Sequence, residues 1–346
     1  MHKDERQSQA LTYRTPKLRS GFTAALLLLT ALEASAAERA ASSSQLAERH
    51  KVIIDTDIGS DVDDAFAVAL ALSIPEFEIL GFTTDSGNTT ARAKILDRML
   101  SESGHSDIPV AVGRQTKSPN DGFPTTFIGP QTRYGEKAAS LRASYPSATD
   151  FILEQIHRFP GQVTLLTIGP VSNIGDLIDK DVASFRKLKR VVMMGGWFGR
   201  AKDAFGDTLE PGPEYNIQVD IEAAQKLFKS GVPLYVITFD STIHLALDDV
   251  KRRTLFSRGE PLTNSLSLLY VLWGNTTPVF FDPMAVAFVT NPSLCPVEHA
   301  HVEVDDKGAT RTTSAPPNAF VCLRSDAHAF FAYYMGLVVP SRESHR

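Results

Sequence analysis

The chain is poor in cysteine, in surplus positive charge and in long apolar runs, and each shortage excludes something. Only Cys295 and Cys322 occur among 346 residues, which rules out a disulfide framework, and their spacing leaves open whether they pair. A net charge of -5 and a pI near 6.0 lack the basic footprint that binding a nucleic acid polymer requires. The apolar run from Phe22 to Leu32 is too short for a comfortable membrane span. It follows Arg14, Lys17 and Arg19 and precedes Ala34-Ser35-Ala36, the layout of a secretory signal peptide with its cleavage site. Residues 1–36 are therefore expected to be a signal peptide, 37–49 a flexible leader and 50–338 one globular domain. Its address would be secreted or periplasmic, with no membrane span after processing; an uncleaved anchor is the competing reading.

What the chain has in quantity is carboxylate, concentrated in one place. Lys51 to Ala71 reads KVIIDTDIGSDVDDAFAVALA. Val52, Ile53 and Ile54 suit a buried strand and Gly59 a turn. Ala65, Phe66, Val68, Ala69 and Leu72 recur at helical spacing, with Asp63 and Asp64 in the first turn. Asp55, Asp57, Asp61, Asp63 and Asp64 thus fall within ten residues. Turned into one space they would raise one another's pKa, and a divalent cation relieves that. Oxygen ligands with no Cys or His beside them select Ca2+ or Mg2+ over zinc. A solvated acidic turn complementing the helix dipole is the alternative. An EF-hand loop starting at Asp55 fails, because Ser60 and Phe66 stand where Gly and Glu are needed. A phosphatase of the haloacid dehalogenase type also opens on a strand and D-x-D, and would use Asp55 or Asp57 as nucleophile.

Further strand-like runs start at Phe77, Val110, Val163, Arg190 and Leu234, with helical patterns between them, such as Thr90 to about Ser103. That alternation predicts an α/β, Rossmann-like fold, a mostly parallel central sheet flanked by helices. Ligands in such sheets gather at the carboxyl ends of strands. Thr116 to Lys137 and Trp197 to Pro213 read as mobile loops, the first as a cover. Strand-like runs from Val302 to Leu323 suggest a small added sheet before a closing helix to about Val338.

DTDIGSDVDDAFA resembles the D-x-D-P-G-x-D-D signature of the inosine-uridine preferring nucleoside hydrolase family. Further matches follow in chain order: TTDSGN ending at Asn88, the strand ending at Ile168, Met193-Met194-Gly-Gly, Glu214-Tyr-Asn216 with Asp220, and Phe281-Asp282-Pro-Met-Ala against H-D-P-x-A. The resemblance runs from about residue 50 to about 335. Five departures stand out. Ile58 replaces the proline, the acidic loop is two residues longer, the 116–137 loop has no His, Thr208 replaces an Asn, and Phe281 replaces the His that protonates the leaving base.

The resemblance implies hydrolysis of the N-glycosidic bond of ribonucleosides, a reaction with an oxocarbenium-like transition state. It implies Ca2+ held by Asp57, Asp64, the Ile168 carbonyl and Asp282, with Asp57 as general base. Asp63, Asn88, Met194, Glu214 and Asn216 would surround the ribose, and Glu214 and Asn216 share one face if their segment is extended. Asp61 could replace Asp63 or join the ion. Asp220 is expected to cap a helix, and His244 to be structural. Trp273, with Tyr270, would stack on the base or else pack within its helix. A homodimer or homotetramer serving nucleoside catabolism and purine and pyrimidine salvage is implied too. With Phe281 in place of the acid, a cationic leaving group such as that of nicotinamide riboside would need no donor. A calcium-dependent nucleoside or sugar binding protein without turnover is the other reading.

Overall fold

Val52, Ile53 and Ile54 are wholly buried, and their alternation decides which side of a sheet each one serves. In the computed structural model, which describes residues 49–116, 128–136 and 142–339, they lie in β1 (His50–Thr56). Val52 and Ile54 join the core on one face, together with Leu166, Val192 and Ile237, while Ile53 joins the other with Leu165, Val191 and Val236. The expected signal peptide, the leader up to Glu48 and the centre of the 116–137 loop lie outside the described residues.

After β1 come α1 (Asp63–Ser73), β2 (Phe77–Thr84), α2 (Thr89–Glu102), β3 (Val110–Val112), α3 (Thr132–Glu136), α4 (Ala148–Arg158), β4 (Val163–Thr167) and α5 (Ser172–Phe185). Next are β5 (Arg190–Met194), a hairpin of β6 (Ala201–Lys202) and β7 (Thr208–Leu209), α6 (Tyr215–Gln218), α7 (Ile221–Lys229), β8 (Leu234–Ile237) and α8 (Phe239–Thr242). The chain continues through α9 (Asp249–Phe256), α10 (Pro261–Trp273), α11 (Asp282–Thr290), β9 (Val297–Val304), β10 (Thr310–Thr313), β11 (Ala319–Cys322) and α12 (Ala327–Val338).

Nine strands form one sheet in the order β10-β9-β11-β8-β5-β4-β1-β2-β3. From β3 to β11 every pairing is parallel, and β9 and β10 add an antiparallel edge. The C-terminal runs therefore extend the central sheet rather than making a separate one. Phe320 of β11 stacks on Tyr235 of β8 with ring centroids 4.5 Å apart, and a Cys295–Cys322 disulfide ties β11 to the turn after α11. Strand order reverses between β1 and β4, the switch point where α/β sheets open a crevice.

Two helices at that crevice are unusual. From Asp63 to Ala71 every residue of α1 is buried, and so is every residue of α11 from Asp282 to Val289. Apolar side chains on all sides leave such helices no solvent face, and the two pack side by side. Each begins with aspartate, so their positive dipole ends meet carboxylates at one place.

Candidate active site

The carboxyl ends of β1, β4 and β5, with the N-termini of α1 and α11, enclose a cavity of about 560 Å³. Its acidic side carries Asp57, Asp61, Asp63, Asp64, Glu214 and Asp282. Ile168 and Met194 contribute from the strand ends, and Trp197, Tyr215, Phe239 and Phe281 form an aromatic wall. Trp197 and Phe239 have ring centroids 4.5 Å apart, and Phe239 and Phe281 lie nearly parallel at 5.6 Å.

Carboxylate oxygens of Asp63, Asp64 and Asp282 come within 4.8 Å of one another. Local bonds hold each one there. Asp63 Oδ2 accepts from the backbone N–H groups of Phe281 and Asp282, both at 3.1 Å, which locks α1 to α11. Asp64 accepts from the Thr56 hydroxyl at the end of β1. Asp57 stands beside this trio with Oδ2 3.5 Å from Arg92 Nη2. Asp61 opens to solvent at the rim and accepts from Val62 N–H. In the lengthened loop Asp61 faces outward while Val62 is wholly buried, and Asp63, not Asp61, stands with Asp64 and Asp282. Gly59 makes the expected turn at φ +113°, and Gln131 braces the loop by donating to the Ser60 and Asp61 carbonyls.

Burial raises the Asp63, Asp64 and Asp282 carboxyls well above the usual carboxylate range, and their negative neighbours push the same way. Asp57 is raised by burial against the opposing pull of Arg92. Glu214 is raised by burial, although Gly196, Asn216 and Ile217 N–H groups donate to it. A buried oxygen-only cluster carrying this much unrelieved repulsion fits a hard divalent cation.

Of the residues expected around a ligand, Asp57, Asp63, Asp64, Ile168, Met194, Glu214, Asn216 and Asp282 all line the one cavity. Glu214 and Asn216 are not on an extended segment: Glu214 caps the helical turn α6. Asn216 turns inward and donates to the Ile168 and Met194 carbonyls at 3.3 and 3.2 Å. Asn88 and Trp273 do not line the cavity. The Asn88 side chain accepts from Ala91 N–H as the cap of α2. Trp273 packs beside Tyr270, whose hydroxyl donates to the Thr276 carbonyl. Asp220 caps α7 as expected, and His244 lies outside the lining, with Nε2 3.3 Å from the Ser325 hydroxyl. Thr208 is exposed in β7. The loop after Trp197 is anchored at its start, where Phe198 and Gly199 N–H groups donate to Asp240.

Asp55 is turned away from the cavity. It accepts from Thr83 and Asn173, and burial pushes it up to about 6. Such a carboxyl is no exposed nucleophile, which counts against the phosphatase reading. Arg92, Asp85, Trp197, Tyr215 and Phe239 were not anticipated. Asp85 lies behind the cavity against Asp55, and burial raises its carboxyl well above the usual range. Arg92 had a readable signal, since it shares the buried face of α2 with Ile95, Leu96 and Met99.

A doubly wound sheet with an oxygen-lined cavity at its switch point, whose buried carboxylates could hold a metal ion, defines an α/β protein with a site for a small molecule. The sequence profile of the inosine-uridine preferring nucleoside hydrolase family matches residues 52–332. Uridine nucleosidase 1 of Arabidopsis thaliana is 30% identical over 278 residues, 76% of this chain and 80% of that one. The pyrimidine-specific ribonucleoside hydrolase RihA of Citrobacter koseri is 27% identical, covering 81% and 95%. Among solved structures, a plant nucleoside hydrolase, PpNRh1, superposes with a TM-score of 0.73 at 22% identity, over 84% of this chain and 99% of that one. A purine-preferring ribonucleoside hydrolase from Gardnerella vaginalis gives 0.68 at 23%, over 83% and 98%. The chain belongs to the inosine-uridine preferring nucleoside hydrolase family.

Proposed function

We propose that this protein hydrolyses the N-glycosidic bond of ribonucleosides to ribose and free base, with Ca2+ as its ion. One observation carries the reading: carboxylates at positions 63, 64 and 282 converge at two helix N-termini and share a single cavity with an aromatic wall. Asp57, Asp64, the Ile168 carbonyl and Asp282 would hold the ion, with Asp63 beside them. When bound, calcium supplies positive charge that lowers the pKa of a water and orients the ribose diol. Asp57 takes the proton from the attacking water. Asp63, Glu214 and Asn216 bind the sugar hydroxyls, and Met194 lies under the ring. Holding these non-reacting groups lets their binding energy act at the anomeric carbon. The base stacks on Trp197, Phe239 and Phe281, a role first assigned to Trp273.

A second reading is favoured by one feature. Among the described residues lining the cavity there is no His or Lys, and Phe281 occupies the expected place of an acid. A cationic pyridinium base, as in nicotinamide riboside, leaves without protonation. The test of both readings is a panel of nucleosides, inosine, uridine and nicotinamide riboside among them, assayed for reducing sugar with Asp57→Ala as control. Release of ribose by the parent and not by Asp57→Ala is expected. Tight nucleoside binding with no ribose released would instead identify a binding protein.

We assign the protein outside the cytoplasm, secreted or periplasmic, with nucleoside catabolism and purine and pyrimidine salvage as its role. The basic-then-apolar N-terminus and the Cys295–Cys322 bond support this address. Mass spectrometry of the mature protein should find Ala37 first. A homodimer or homotetramer is the proposed assembly, read by light scattering.

A further inference from the structure

We infer that Arg92 is a positioning residue of this site, one whose guanidinium locks the acidic loop and aims the Asp57 carboxylate. The inference rests on the hydrolase reading for its account of turnover. Arg92 is 2% exposed and is the one cationic side chain among the described residues of the lining, against the six carboxylates named above. Four hydrogen bonds and an ion pair occupy its fork. Nε donates to the Ser86 carbonyl at 2.8 Å, Nη1 to the Asp57 and Ile58 carbonyls, and Nη2 to Ser60 Oγ at 2.9 Å. The same Nη2 lies 3.5 Å from Asp57 Oδ2. A guanidinium committed to protein oxygens in this way is not left over to grip a ligand.

Carried on α2, it draws its partners from two other segments, the acidic loop and the turn after β2. Ser86 and Gly87 both have φ near +60°, and that turn brings the Ser86 carbonyl back onto the guanidinium. Arg92 therefore ties the carboxyl end of β1 to that of β2. The loop it braces has Ile58 in place of a stiffening proline and two extra residues, so it needs an external clamp. The trio, in contrast, is held without Arg92: Thr56 secures Asp64, and the backbone of Phe281 and Asp282 secures Asp63. Loss of the fork should free Asp57 while leaving the other three carboxylates together. A lysine keeps the charge but lacks the planar set of donors that reaches all these oxygens at once.

The test compares Arg92→Lys, Arg92→Ala and Ser60→Ala with the parent, by calorimetric titration with calcium and by turnover of the best nucleoside in the panel. Both Arg92 variants should lose about 100-fold in kcat, with KM within about threefold and calcium binding weakened by about tenfold. Ser60→Ala, which removes one acceptor at the partly exposed end of the fork, should lose about threefold in kcat and fold normally. Guanidinium added to Arg92→Ala should recover at least about tenfold in turnover, and ammonium should not. Parental turnover in Arg92→Lys overturns the inference, as does calcium binding either unchanged or abolished in the Arg92 variants. Equal rescue by ammonium also overturns it. A parent that cleaves no nucleoside refutes the hydrolase reading alone, and the calcium affinities then decide the role of Arg92.

Discussion

The two ends of the cavity are built in opposite ways. The acidic end comes from a strand end and two wholly buried helix N-termini, with Asp63 and Asp64 bonded to backbone or hydroxyl groups of the sheet and of α11. The aromatic end comes from connections: Trp197 after β5, Tyr215 in a one-turn helix, Phe239 at the start of another, and Phe281 just before α11. Groups on rigid elements hold their geometry more closely than groups on loops. On the proposed reading, ion and ribose chemistry would belong to the framework, while base selection would belong to parts that can change without disturbing it.

The largest effects should come from breaking the rigid end. Asp64→Asn should abolish both calcium binding and turnover for every base alike, read by calorimetry and reducing-sugar release; a loss confined to one base would dissolve the distinction. Asp57→Ala should lower kcat by about 1,000-fold and weaken calcium binding, since it removes both the general base and an ion ligand. At the aromatic end, Phe239→Ala should raise KM by about tenfold, unequally among bases. An equal rise for all bases would mean that the ring shapes the sugar site.

A smaller effect should appear in pH dependence without ion. Asp55, Asp63, Asp64 and Asp282 have folded pKa values raised by burial, about 6 for Asp55. Groups raised in this way stabilise the fold most below their unfolded range near about 4 and lose that contribution as pH rises through the folded value. In chelator, the melting temperature should therefore fall between pH 5 and pH 7.5, and calcium should recover most at pH 7.5. A melting temperature that rises over that interval would contradict the electrostatic account. The smallest effect is expected from Trp273→Ala, under about twofold in kcat/KM, since that ring packs on its own helix.

The same division governs what was readable beforehand. Asp57, Asp63 and Asp64 announce themselves because the chemistry needs charges packed at a strand end, and periodicity alone marks the strand and helix around them. Asp282 needed the resemblance, because a lone aspartate before proline is also an ordinary helix start. Asn88 has two readings that one residue can carry: the structure displays its cap on α2, a local property, while its neighbours Ser86 and Gly87 line the cavity. Trp197 and Phe239 were illegible because their meeting depends on how β5 and β8 lie side by side, which no local pattern encodes. Glu214 was correctly brought to the cavity with the wrong backbone, since one acidic side chain turned an expected extended segment into a capped helical turn.

The central claim is that oxygens from Asp57, Asp64, Ile168 and Asp282, with Asp63 beside them, would hold the ion on which the proposed ribosyl cleavage depends. Its most direct test is ribose release by the chelator-stripped protein as calcium is returned stepwise. Turnover lost on stripping and regained with calcium is predicted. Undiminished turnover in excess chelator would contradict the account.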